Sequence, residues 1–187
     1  MESERTGRAA LPRRRLLLAI VVLAASVGVG VARAQQGTSV DAPSRGERSR
    51  PRAHALPAAR DLAADGATAR ARRIPILILF DRDDCPYCER ALREHLVPMS
   101  REAPWRDDAL FRQVEVDRDD PVVGFDGRPT THRAIAARFD AKFTPTIVVV
   151  GSDGKALADP VVGLLTADFY GAYLDAALKQ GLATLRR

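Results

Sequence analysis

Ile76-Leu77-Ile78-Leu79-Phe80-Asp81-Arg82-Asp83-Asp84-Cys85-Pro86-Tyr87-Cys88 is the stretch on which the fold turns. The continuous apolar run Ile76 to Phe80 has the pattern of a central strand buried on both faces. A helix is expected to begin at the Cys85 segment, because Pro86 suits a first helical turn, where its missing N–H is not needed. The unpaired backbone N–H groups at such a helix start favour a thiolate, the nucleophile of disulfide exchange. Two intervening residues put Cys88 one turn below Cys85, close enough for a short disulfide. Cys85 is then expected to be exposed and attacking, and Cys88 more buried and resolving.

Reading outward, the helix should reach about Val97, with Ala91, Leu92 and Leu96 inside and Pro98 as its breaker. Upstream, Ala58 to Arg72 is rich in alanine and arginine and reads as a helix weakened by Gly66. Phe111 to Asp117 reads as a strand with Val114 and Val116 on one face, Gln113 and Glu115 on the other. Thr131 to Phe139 reads as a helix capped by Thr130 or Thr131, with Ile135 and Phe139 on one side. Thr146 to Val150 is a second buried strand. Ser152-Asp153-Gly154-Lys155 is a turn that leads to a hairpin partner near Ala156 to Val161. Thr166 should cap a last helix with an apolar stripe of Phe169, Tyr170, Tyr173, Leu174, Ala177 and Leu178. This order, with right-handed crossovers and short connections, gives an α/β fold: a small mixed sheet sandwiched by helices over residues 57–187. About 130 residues can build a core without a disulfide staple, so the two cysteines are free for chemistry.

The formal charge of +5 hints at nucleic acid until it is divided along the chain. Residues 1–73 hold 14 basic and 6 acidic side chains, whereas residues 74–187 hold 15 and 18. The folded part is slightly acidic, so no nucleic-acid partner is expected. The excess basic charge belongs to a leader, residues 1–34, that reads as an export signal. Arg13, Arg14 and Arg15 precede the uncharged run Leu16 to Val31, and Ala32-Arg33-Ala34 follows as a cleavage site leaving Gln35 first. Sixteen residues at about 1.5 Å each span roughly 24 Å, short of the hydrocarbon core. The expected location is periplasmic; the same segment left uncleaved would be a membrane anchor, and membrane contact is expected only there. The Arg pair leaves Sec and twin-arginine export both open. Residues 35–56 carry Gly37, Pro43, Gly46 and Pro51 with almost no large apolar side chain, and read as a disordered linker.

Sixty residues beyond the cysteines lies Thr144-Pro145-Thr146, at the entry of the second buried strand. A proline there can be cis, and the Thr144–Pro145 bond is expected to be so, close to the Cys85 sulfur. The backbone of Thr144 could then pair with an extended substrate. A strand, Cys-x-x-Cys at a helix start, Thr-Pro before a strand, a hairpin and a final helix together resemble the thioredoxin fold, over roughly Pro57 to Arg187. Phe125-Asp126-Gly127-Arg128-Pro129-Thr130-Thr131 and Asp168-Phe169-Tyr170-Gly171-Ala172-Tyr173-Leu174 further resemble exported bacterial thioredoxins of the SoxW type. The resemblance implies a redox-active Cys85–Cys88 pair and substrate contacts at Pro86, Tyr87, Thr144 and Pro145. It also implies protein thiol–disulfide exchange in the reducing direction, no cofactor, and electrons from a membrane donor.

The chain departs from typical cytosolic thioredoxins in having Asp84 before the first cysteine and Pro86-Tyr87 between the two, the pair found in glutaredoxins. Leu79 stands where that family has a buried, proton-handling aspartate, which leaves Glu89 as a substitute to consider. Asp81, Arg82, Asp83 and Asp84 read as a solvated loop, as do Asp117, Asp119 and Asp120. A Cys-x-x-Cys can also be half of a zinc site, with His95 and His132 as further ligands. Zinc ribbons show a second such pair, however, and no metal is expected here. A purely structural disulfide, a dithiol oxidase or isomerase, and a non-enzymatic binding module remain as other readings. Trp105 is expected in the core.

Overall fold

The computed structural model describes residues 54–187 except Leu165, so the leader and residues 35–53 of the linker lie outside the described residues. Among the described residues no helix is long and apolar enough to cross a membrane. Four strands form the main sheet: β1 (Ile76–Asp81), β2 (Leu110–Glu115), β5 (Thr146–Val150) and β6 (Val161–Val162), in the order β2-β1-β5-β6. The β1–β2 pair is parallel, whereas β5 runs antiparallel to both β1 and β6. Every residue of β1 and β5 is buried, as their apolar runs require.

Alternation along the strands divides the core in two. On one face Leu77, Leu79, Phe111, Ile147 and Val149 pack against Ala91, Leu92 and Leu96, and against Tyr170, Leu174 and Leu178 of α6 (Ala167–Leu185). On the other, Ile76, Ile78, Phe80, Val114 and Val148 meet Leu62 and Ala69 of α1 (Leu62–Arg72), and Ile135 of α5 (His132–Arg138). Trp105 is buried as expected, and its indole N–H donates to Asp175 Oδ1 at 3.0 Å.

Several elements differ from the expected ones, each for a local reason. The first helix starts at Leu62 rather than Ala58, because the Asp61 side chain caps it by accepting from Ala64 N at 2.8 Å. Residues ahead of it run extended, with Ala58 bridging Gln113 and Asp61 bridging Val123. Leu56, at the end of the expected linker, is buried in the core. Pro98 does not break the helix after the cysteines. That helix comprises α2 (Pro86–Ala91), a π turn (Leu92–Leu96) and α3 (Val97–Arg101). The wider turn, with Val97 N–H reaching Leu92 O, precedes a proline that would otherwise crowd the preceding turn. A short helix α4 (Trp105–Asp108) follows a cis Ala103–Pro104 bond.

A second sheet that the strand reading missed pairs β3 (Pro121–Val123) with β4 (Pro129–Thr131). Its turn needs Gly127 at φ 76°, in the left-handed region. The Thr131 hydroxyl caps α5 by accepting from Ala134 N at 3.2 Å. The expected hairpin partner is shorter than its span, since Ala156 only bridges Val150 and pairing resumes at Val161–Val162. In α6 the inner stripe is Tyr170, Leu174, Ala177 and Leu178, whereas Phe169 and Tyr173 are exposed.

Candidate active site

Cys85 is the residue that caps α2, with extended backbone and Pro86 in the first turn behind it. Its sulfur and its carbonyl oxygen each accept from Cys88 N at 3.1 Å, and the carbonyl also accepts from Glu89 N at 3.1 Å. The helix start thus directs the Cys88 backbone N–H at this sulfur. Cys85 and Cys88 form a disulfide with their Cα atoms 5.2 Å apart. Cys85 is half-buried and Cys88 has no exposed surface. Tyr87, between them, is 64% exposed.

The sheet register brings the second motif to the same end of the molecule. Phe80 pairs with Thr146 across the antiparallel β1–β5 ladder. Pro145 therefore sits beside the strand end from which the Cys85 segment departs. The Thr144–Pro145 bond is cis, as expected, and Pro145 is buried while Thr144 is half-buried. The Pro145 carbonyl accepts from Gly163 N at 2.8 Å, and the Thr146 hydroxyl donates to Phe143 O at 2.8 Å. These bonds hold the loop from both sides. Phe143 stands 70% exposed at its tip.

Asp81 is a correction to the loop reading. It is the last residue of β1 and fully buried, whereas Arg82, Asp83 and Asp84 are exposed, with Arg82 paired to Asp84 at 2.7 Å. Alternation puts Asp81 on the face of Leu77 and Leu79, the face that α2 and α6 cover. A buried carboxylate needs hydrogen bonds, and the Gln113 side chain donates one at 2.7 Å. The carboxamide oxygen of Gln113 accepts from Leu56 N at 3.0 Å, so one buried side chain links β1, β2 and the entering chain. The signal in the sequence was a glutamine at mid-strand, one strand over from an acid at a strand end.

The histidines serve elsewhere. His132 Nδ1 accepts from Glu115 N at 3.1 Å, which leaves Nε2 to donate to Ala59 O at 2.9 Å. Both ring nitrogens are thereby committed to backbone. The His95 ring packs edge-on against Tyr170 at 5.2 Å. Glu89, half-buried, follows Cys88 directly. Asp119 and Asp120 lie in a loop and pair with Arg133 and Arg118.

A dithiol–disulfide pair at a helix start, next to a cis-proline loop on a four-stranded mixed sheet between helices, defines a protein of the thioredoxin-fold class. Residues 62–178 match the thioredoxin-like domain family, and the chain belongs to it. Among solved structures it is similar to mitochondrial thioredoxin 3 of Saccharomyces cerevisiae in its oxidised form. That match has 18% identity and a TM-score of 0.46, and covers 66% of this chain and 93% of that one. It is similar to Fasciola hepatica thioredoxin at 21% identity and a TM-score of 0.43, over 65% and 98% of the two chains. The C-terminal domain of Neisseria meningitidis DsbD, oxidised, matches at 21% identity and a TM-score of 0.43, over 66% and 99%. No curated protein matches the chain.

Proposed function

We propose that the protein is an exported thiol–disulfide oxidoreductase that reduces protein disulfides, with Cys85 attacking and Cys88 resolving. The observation that carries this reading is the asymmetry of the pair: both sulfurs are joined at a helix start, one half-exposed and one fully buried. An incoming protein disulfide can reach only the half-exposed sulfur. In the reduced enzyme the Cys85 thiolate attacks one sulfur of the substrate disulfide, forming a mixed disulfide and releasing the other sulfur as a thiolate that takes up a proton. Cys88 then gives up its proton and attacks the Cys85 sulfur. The mixed disulfide breaks, the substrate leaves as a dithiol, and the Cys85–Cys88 disulfide holds the oxidising equivalent. A dithiol donor at the membrane restores the pair.

Pro86, Tyr87, Thr144 and Pro145 form the substrate strip in this reading, with the Thr144 backbone pairing with an extended segment. The periplasm is the working compartment, reached through the residue 1–34 signal, and the SoxW-like segments support the reducing direction. Cytosolic glutathione would not meet an exported protein, which favours protein substrates over it.

Insulin reduction by the purified protein, driven by a dithiol donor, tests the activity; an inert wild-type protein would make the fold a binding module. Cys88→Ser should trap mixed disulfides through Cys85, and Cys85→Ser should trap far less. Equal trapping by both would overturn the assigned roles. The reduction potential fixes the direction, a value near about −270 mV marking a reductant and one near about −120 mV an oxidant. Mature protein from a native-like host should begin within a few residues of Gln35, and an intact Met1 on soluble protein would overturn export.

A further inference from the structure

The described domain is almost neutral, with 19 basic and 20 acidic side chains in residues 54–187, yet its charges are sorted by pole. At the redox end, where the parallel strands β1 and β2 finish and the loop into Pro145 begins, Asp83, Asp84, Asp117, Asp119, Asp120 and Asp140 slightly outnumber Arg82, Arg118, Arg133, Arg138 and Lys142. At the opposite end, where β1 starts, arginines gather from three parts of the chain. Arg70, Arg72 and Arg73 close α1, Arg106 lies on α4, and Arg186 and Arg187 follow α6. Six strand residues at about 3.3 Å each separate the two ends by roughly 20 Å.

Contacts draw these arginines into one patch. Arg73 donates to the carbonyl oxygen of Leu185 at 3.1 Å and to a main-chain oxygen of Arg187, the last residue, at 3.0 Å. Arg72 donates to the backbone oxygen of Asp107, and Arg70 to the Ser152 hydroxyl at 3.3 Å. The two nearby acids are paired with other members, Asp107 with Arg106 at 2.8 Å and Asp108 with Arg186 at 2.5 Å. Arg70 and Arg72 are oriented by a hydroxyl and a backbone carbonyl, Arg73 by the Leu185 carbonyl and a main-chain oxygen of Arg187; all three are exposed, and the six arginines at this end outnumber Asp107 and Asp108.

We propose that this arginine pole docks the domain on an anionic lipid surface and turns Cys85 and Cys88 away from it. A patch presented at one end by three chain segments suits a broad plane. A nucleic acid following the surface would meet the acidic pole. Each arginine near an anionic leaflet strengthens binding by about fivefold, and the attraction fades within a Debye length of about 8 Å. The acidic pole, roughly 20 Å away, is therefore spared most of the repulsion. The choice of a bilayer as the surface rests on the proposed export, which would deliver the domain beside one.

Hydrogen–deuterium exchange on the full-length protein tests the docking with vesicles of equal parts phosphatidylglycerol and phosphatidylcholine. Peptides covering residues 70–73 and 183–187 should gain protection, and those covering 82–90 should not change. The form that begins at Gln35 lacks the leader and should show the same protection, so that the readout belongs to the domain; protection seen only with the leader present would overturn the proposal. Arg70→Glu with Arg187→Glu should remove most of the protection while insulin reduction is retained. Protection at residues 82–90, no protection at the arginine pole, equal protection by pure phosphatidylcholine, or stronger protection by duplex DNA than by the vesicles would overturn the proposal. Failure of export itself is read separately, from the N-terminus of the mature protein.

Discussion

Tyr170 is 2% exposed, and its hydroxyl has no hydrogen-bond partner among the described residues. A buried polar group without a partner costs about 1–3 kcal/mol. Tyr170→Phe should therefore leave stability unchanged or raise it by about 1 kcal/mol in urea titration at neutral pH. Burial also pushes the Tyr170 phenol well above its ordinary value. The folded protein keeps this proton when the unfolded chain loses it, so the associated stability is complete below about pH 10 and declines above. The phenylalanine variant should lose less stability than wild type between about pH 10 and 11. Equal alkaline losses would remove Tyr170 as the cause. Gln113 is the contrasting case, since both ends of its carboxamide are used. Gln113→Ala removes the acceptor of Leu56 N–H and a donor to Asp81, and should cost about 3 kcal/mol by chemical denaturation.

Among the elements, α1 shows how a local weakness can serve a tertiary contact. Gly66 reads in the sequence as a flaw in a helix, and replacing it by alanine in an isolated helix would gain about 1 kcal/mol. In the fold a Cβ at Gly66 would lie 2.3 Å from Ser152 O, a backbone atom with little room to yield. Gly66→Ala should therefore destabilise by about 2 kcal/mol, and a rise in melting temperature would contradict the tight helix–turn contact. The strands β1 and β5, the cysteine pair at a helix start and the Thr144–Pro145 loop were all legible in the sequence, because each rests on a short, contiguous signal. The β3–β4 hairpin was not, as its strands have three residues each and too little alternation to register. Asp81 was misread for a related reason. Burial of an acid depends on a glutamine 32 positions away, and no local pattern announces that partner. The exposed sides of Phe169 and Tyr173 escaped because helical periodicity tells which residues share a face but not how wide the covered stripe is.

For the molecule as a whole, surface pairs contribute to the response to acid. Hydrogen bonds from Arg90 and Arg93 hold the Glu94 carboxyl below its ordinary range, and Arg106, Arg133 and Lys155 do the same for Asp107, Asp119 and Asp153. A carboxyl depressed on folding contributes stability above its unfolded value and loses it as pH falls through the folded one. Stability should decline below about pH 4, and the decline should be smaller in about 1 M salt, which screens exposed pairs. An acid limb insensitive to salt would place its origin in the interior instead. The entry of the chain has a mechanical consequence as well. Leu56 N, Pro57 O and Ala59 N all bond to Gln113, and the segment then runs parallel to its neighbours, bridging Val123 at Asp61. A load applied along this segment would be shared by these bonds in shear rather than opening them one after another like a zip. Gln113 is the mooring point, and the redox pair, carried on β1 and α2, lies off the line of tension.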